Sequence, residues 1–229
     1  MLNVLFIEAD NQKNLGGSCS RDIKNMDSYI DNMNMIRRQT TILSTSELKI
    51  KNKDNYAYDS LKNYIDNFQR FCDNVNQDDN VLIMISGHGY QKHNEKGDEK
   101  DGMDEYISYN EGIITDNKIY ELLVHKLINK SKRIVCLADT CHSGTIFDIN
   151  NTGNINKVIS LSSCRDNELS SCDISNVGFG GALTVHLLNI NNFLNILFNE
   201  NIREIEDKII NNLRPVLQCL GQCPVLSSF

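Results

Sequence analysis

Four short apolar runs constrain this chain more than any other feature: residues 4–9, 81–86, 133–138 and 158–162. Each is too short for a helix and rich in Val, Ile and Leu, the pattern of strands covered on both faces. Residues 40–43 form a weaker fifth. Between and after them, residues 21–38, 59–75, 117–128, 182–188 and 202–213 carry helical spacing. Strand alternating with helix requires crossover connections, which predicts an α/β fold on a mostly parallel sheet.

With 229 residues the expectation is one domain, 1–229. A formal net charge of −7 argues against a protein that coats nucleic acid, which needs a dense cationic face. No apolar run reaches the roughly 18 residues of a membrane span, and the start MLNVLFIEADNQ lacks a basic region and a cleavage site. The expectation is therefore a cytoplasmic protein with neither a membrane nor a nucleic-acid partner. Eight cysteines without a CxxC pair read as free thiols. Cys219 and Cys223 are a weak zinc candidate, since no His pair accompanies them. The Asn-rich tracts 150–156, 189–195 and 211–212 read as loops, and the polar stretch 91–104 as a surface loop between a strand and a helix.

Two polar clusters occupy one kind of place. The strand VLIMI runs into Ser86, Gly87, His88 and Gly89, and the strand RIVCLA runs into Asp139, Thr140, Cys141, His142, Ser143 and Gly144. Both lie at carboxyl ends of expected parallel strands, the edge where open sheets bind ligands. A thiol attacks an acyl carbon as thiolate, so it needs an imidazole to take its proton and donors for the oxyanion. Cys141 is the candidate nucleophile, His88 its base, and the backbone N–H groups of Gly89 and Cys141 the oxyanion donors. His142 is the poorer base, because adjacent side chains at a strand end point apart. The plain alternative for Cys141, a small buried hydrophobe, suits Cys72 and Cys136 better.

On these residues the chain resembles the caspase-like cysteine peptidases, and among them the metacaspases, whose signatures look like SGHG and D-[ST]-C-H-S-G. His88 and Cys141 are 53 residues apart, close to the roughly 50 usual in caspases, although the caspase pentapeptide is absent. Further stretches are similar to that family in order: GSCSRDIKNM at 17–26, SLSSCRD at 160–166, GGALT at 180–184 and QCPVLS at 222–227. The resemblance implies a caspase-like (caspase-hemoglobinase) fold, a mostly parallel central sheet flanked by helices on both faces. A large-subunit-like part at about 1–148 would hold the dyad, and 149–229 would be small-subunit-like.

The resemblance also implies an endopeptidase acting after Arg or Lys on protein or peptide substrates. Its acidic pocket would be built from Asp22 and Asp139, with Cys19 and Ser86 lining it; the alternative for Asp22 is the cap of a helix starting near Ile23. Calcium is the one cofactor implied, with ligands at Asp104, Asp116, Asn117 and Asp148, and no organic cofactor. Asn117 stands where the family has a second acid, which would weaken binding; otherwise Asp98, Asp101 and Asp104 solvate a loop and Asp116 caps a helix. A minimal monomer is expected, with Lys157 a candidate processing site. The competing expectation is a catalytically silent module of this fold that binds a partner.

Overall fold

The computed structural model describes residues 1–10, 15, 17–33, 35–44, 48, 50, 53–57, 61–94, 101–109, 112–149 and 157–228. The first apolar run becomes β1, Leu2–Ala9, buried along its whole length. Side chains alternate across a strand, so Leu5, Ile7 and Ala9 enter one core while Leu2, Val4 and Phe6 enter the other. Helix α1 (Ser18–Asn32), β2 (Arg37–Ser44), β3 (Asp54–Ala57), α2 (Leu61–Asn74) and β4 (Asn80–Gly87) follow. Next come β5 (Gly89–His93), β6 (Met103–Tyr109) and β7 (Gly112–Thr115), a small antiparallel sheet of their own.

Helix α3 (Asp116–Ile119) continues through a π-helical turn, Tyr120–Val124, into α4 (His125–Leu127). Then come β8 (Arg133–Asp139), β9 (Val158–Ser162) and the hairpin β10 (Cys172–Ser175) with β11 (Gly178–Gly181). Helices α5 (Ala182–Leu187), α6 (Phe193–Asn199) and α7 (Ile202–Ile205), a second π turn at Glu206–Ile210, α8 (Asn211–Cys219) and β12 (Val225–Ser228) complete the order.

The main sheet has seven strands in the order β12-β9-β8-β4-β1-β2-β3. Only β12 runs antiparallel to its neighbour. Tyr64, Phe68 and Phe71 of α2 and Leu122 and Leu123 of the π turn cover one face. Ile23, Met26 and Ile30 of α1, with Leu183, Leu194 and Leu213 from the later helices, cover the other. This is the expected mostly parallel α/β sheet with helices on both sides. No helix among the described residues is long and apolar enough to cross a membrane.

Several boundaries differ from expectation. The helix expected at 21–38 stops at Asn32, because Arg37 and Arg38 belong to β2. There Arg37 pairs with Asp27 and Asp31, and Arg38 with Asp79. The helix expected to stop at 213 runs through Pro215 to Cys219, with Leu213 and Leu217 buried against the sheet. That burial offsets the hydrogen bond which proline removes. The stretch 91–104 is not simply a loop: its ends are strands β5 and β6, paired antiparallel, and its residues 95–100 lie outside the described residues. It leads to a further strand, not a helix. Asn195 and Asn211–Asn212 are helical, and tract 150–156 is outside the described residues.

Asp79 ties the amino-terminal edge of the sheet together. It accepts from Arg38 Nε at 2.7 Å and from Asn3 Nδ2 at 3.1 Å. Burial alone would push its carboxyl up, but bonds from Arg38, Asn3 and the Asn76 N–H outweigh that and hold it well below the usual range. A depressed carboxyl stabilises the fold above its unfolded pKa of about 4, and that contribution is lost as the pH falls through the lower folded value. Asp79→Asn should therefore lower the urea midpoint at pH 7, and the gap to the wild type should narrow below about pH 4.

Candidate active site

Strand register brings the polar ends together. Glu8 of β1 lies opposite Ser86 of β4, and Ser86 lies opposite Asp139 of β8. One residue on, Ala9 faces Gly87, and the His88 N–H donates to the Ala9 carbonyl at 2.8 Å. A cleft at this edge is lined by Cys19, Asp22, Ser86, Gly87, His88, Asp139, Cys141, Ser170, Ser171, Cys172 and Gly181, among others. The structure thus gathers His88, Cys141, Asp22, Asp139, Cys19 and Ser86 in one place. Gly89 adjoins them: a Cβ there would overlap the Cys141 carbonyl oxygen and press on Thr140 Oγ1. Only glycine lets the two strand ends come this close.

Cys141 begins a tight turn, because His142 has a positive φ of 52°. The His142 ring has its Nδ1 against the Asp166 carbonyl. The loop beyond is anchored by the Thr145 N–H on Asp166 Oδ1 at 2.8 Å and by Thr145 Oγ1 on Glu105. The Ser170 N–H donates to Cys141 Sγ at 3.3 Å. Burial pushes the Cys141 thiol up, and the Asp139 charge adds to that, while the Ser170 amide opposes it. The sulfur therefore rests as a thiol that needs a base. His88 Nε2 lies 3.6 Å from Asp10 Oδ1, and its ring stacks on Tyr90.

Asp22 and Asp139 are 1% and 6% exposed. Asp22 is inside α1, which starts at Ser18, so it caps no helix. It accepts from Ser86 Oγ at 2.7 Å and from the Gly181 N–H. Asp139 accepts from the Thr184 N–H and Oγ1, both at 2.8 Å, and from Ser170 Oγ at 3.1 Å. Ser170 Oγ in turn accepts from buried Gln222. Burial pushes both carboxyls up, and the Asp139 charge pushes Asp22 further. Two carboxylates held together in a dry cleft repel each other once ionised, an arrangement able to accept a cation. Burial also raises the Cys19 thiol, which stays neutral beside them.

The expected calcium ligands have other partners. Asp116 is fully buried and accepts from the N–H groups of Glu105 and Asn117. Asp104 accepts from Asn94 and lies 3.6 Å from Lys92 Nζ, while Asp148 sits in a left-handed turn. Among the described residues no three His, Cys, Asp or Glu side chains are grouped around a possible ion. As placed, Asp104, Asp116, Asn117 and Asp148 do not converge on one ion position among the described residues. Asp98 is outside the described residues.

The sequence reading missed Asp10, Ser170 and Cys172, and it singled out the stretch holding Gly181 and Thr184 without giving either a role at the site. Asp10 carried a signal, an acid one step past a buried strand at the same edge. Ser170 and Cys172 carried none, because the chain reaches the cleft there through a loop and a hairpin.

A model of the metacaspase peptidase C14 domain matches residues 4–150. Metacaspase III c of Phaeodactylum tricornutum is 29% identical over 136 residues, 57% of this chain and 38% of that protein. Metacaspase-1 of Saccharomyces cerevisiae is 27% identical over 150 residues, 64% of this chain and 34% of that protein. The match thus spans well under half the length of these relatives. A crystal structure of a Geobacter sulfurreducens protein, 21% identical, shares the fold with a TM-score of 0.61 over 99% of this chain and 92% of that one.

Replacing Gly89 tests the close approach of the two strand ends. Gly89→Ala should lower the unfolding free energy by about 1–3 kcal/mol in urea titrations. It should also change the alkylation rate of Cys141.

Proposed function

As the chain belongs to the metacaspase family of peptidase C14 domains, we propose that it is a cysteine endopeptidase that cleaves after Arg or Lys. The observation that carries this reading is the shared cleft of a thiol, an imidazole and two buried carboxylates. The basic side chain of the substrate enters between Asp22 and Asp139, which sets the following carbonyl beside Cys141. His88 takes the Sγ proton as sulfur bonds to the carbonyl carbon, and the carbonyl electron pair moves to oxygen. The N–H groups of Gly89 and Cys141 receive that oxyanion. Collapse breaks the C–N bond, with the His88 proton passing to the leaving amine. Water, deprotonated by His88, then attacks the thioester and frees the acid product and the thiol.

The pocket acids add a pH dependence. Their carboxyls are raised by burial, so they hold protons at a higher pH than exposed acids do. A guanidinium is bound best once they are ionised. KM for an Arg reporter should accordingly rise as the pH falls toward the acid range. The family resemblance implies calcium stimulation, which a chelator arm tests, although Asp104, Asp116 and Asp148 are not grouped around one ion position among the described residues.

The test sets the full chain and Cys141→Ala on fluorogenic peptides ending in Arg, Lys, Asp or Asn, each with millimolar calcium and with chelator. Cleavage after Arg and Lys only, lost in Cys141→Ala, is the expected outcome. Asp22→Asn should raise KM for Arg at least about tenfold, the scale of one charge-assisted bond. Cleavage after Asp would overturn the pocket assignment, and silence on every peptide, with and without calcium, would favour a binding module.

A further inference from the structure

We propose that Asp10 is a positioning residue for His88: its carboxylate holds the imidazole with Nε2–H turned to β1 and leaves Nδ1 to take the Cys141 proton. The inference rests on the peptidase reading and adds a third side chain to its machinery. Asp10 follows the last residue of β1, and His88 follows the last residue of β4. The two strands are neighbours, Ala9 faces Gly87, and the His88 N–H is bonded to the Ala9 carbonyl. Asp10 and His88 are thus adjacent one step past the sheet edge, with Oδ1 and Nε2 3.6 Å apart. Gly87 has φ 150°, and a Cβ there would overlap the Ala9 backbone, so the strand ends are in direct contact beneath this pair.

Asp10 is 5% exposed, and a cationic neighbour offsets the cost of burying a carboxylate. His88 becomes one when it accepts the thiol proton. A distance of 3.6 Å is long for a hydrogen bond and suited to an ion pair that shortens as the imidazolium forms. The need is real in this cleft, because the Cys141 thiol is raised by burial and the proton must be drawn from it. Asp139 and Asp22 cannot do this for His88, since their oxygens are turned to Thr184, Ser170, Ser86 and Gly181. The His88 ring also stacks on Tyr90, with centroids 5.9 Å apart.

Asp10→Ala and Asp10→Asn, made in the full chain, separate positioning from folding. Thermal melts identify any variant that fails to fold, and the near-isosteric Asp10→Asn then carries the test. On the Arg reporter kcat should fall at least about tenfold with KM little changed, the signature of a lost proton-transfer geometry. A second readout needs no substrate: iodoacetamide labelling followed by mass spectrometry, comparing Cys141 with exposed Cys219. Labelling of Cys141 should slow in both Asp10 variants and in His88→Ala, with Cys219 unchanged. Wild-type kcat and wild-type Cys141 labelling in a folded Asp10 variant would overturn the proposal. If the wild type cleaves no basic peptide yet Cys141 labelling still depends on His88 and Asp10, the peptidase reading fails and this one stands.

Discussion

The cleft depends on the hydrogen-bond register of three adjacent parallel strands. Glu8, Ser86 and Asp139 form one row across β1, β4 and β8, so whatever follows each strand emerges at the same height. A slip of one residue would invert every side chain and send the apolar set of one core toward the other. Because these strands are covered on both faces, both cores resist that slip. The positions of His88, Cys141 and Asp10 are thus consequences of packing far from the cleft.

Against that rigid frame the cleft is electrostatically costly. Asp22 and Asp139 are buried close enough for one to raise the other, with the Arg21 charge opposing that at Asp22. Their stability comes from dipoles: hydroxyls of Ser86, Thr184 and Ser170 and amides of Gly181 and Thr184. Gly180 and Gly181 have to be glycine, because a Cβ at either would overlap a carboxylate oxygen of Asp22 or Asp139. Buried Gln222 extends the network through Ser170, which gives the carboxyl-terminal motif a structural reason. Under the proposed function, a site built this way would favour a cationic side chain over an anionic one.

The parts of this arrangement that were legible in the sequence share a physical property: they are local. A buried strand announces itself as a short apolar run, so β1, β4, β8 and β9 were found nearly to the residue. His88 and Cys141 stand out because their polar, glycine-bearing surroundings contrast with the strands that precede them. Strands β3, β5, β6, β7, β10, β11 and β12 were not legible, since they are short or half-exposed and are defined by partners elsewhere. The π turns and the helical Pro215 escaped for a related reason: tertiary burial overrode local preference.

The sequence by itself determined the sheet's central strands, the chemistry at their carboxyl ends and the family likeness, because short-range patterns encode burial and turns. Tertiary structure alone decided which groups meet. It set Asp10 beside His88, turned His142 to Asp166, drew Ser170, Thr184 and Gln222 around Asp139, and gave Asp104 and Asp116 partners of their own. Those contacts join residues far apart in the chain or on adjacent strand ends, and only the folded register brings them within reach.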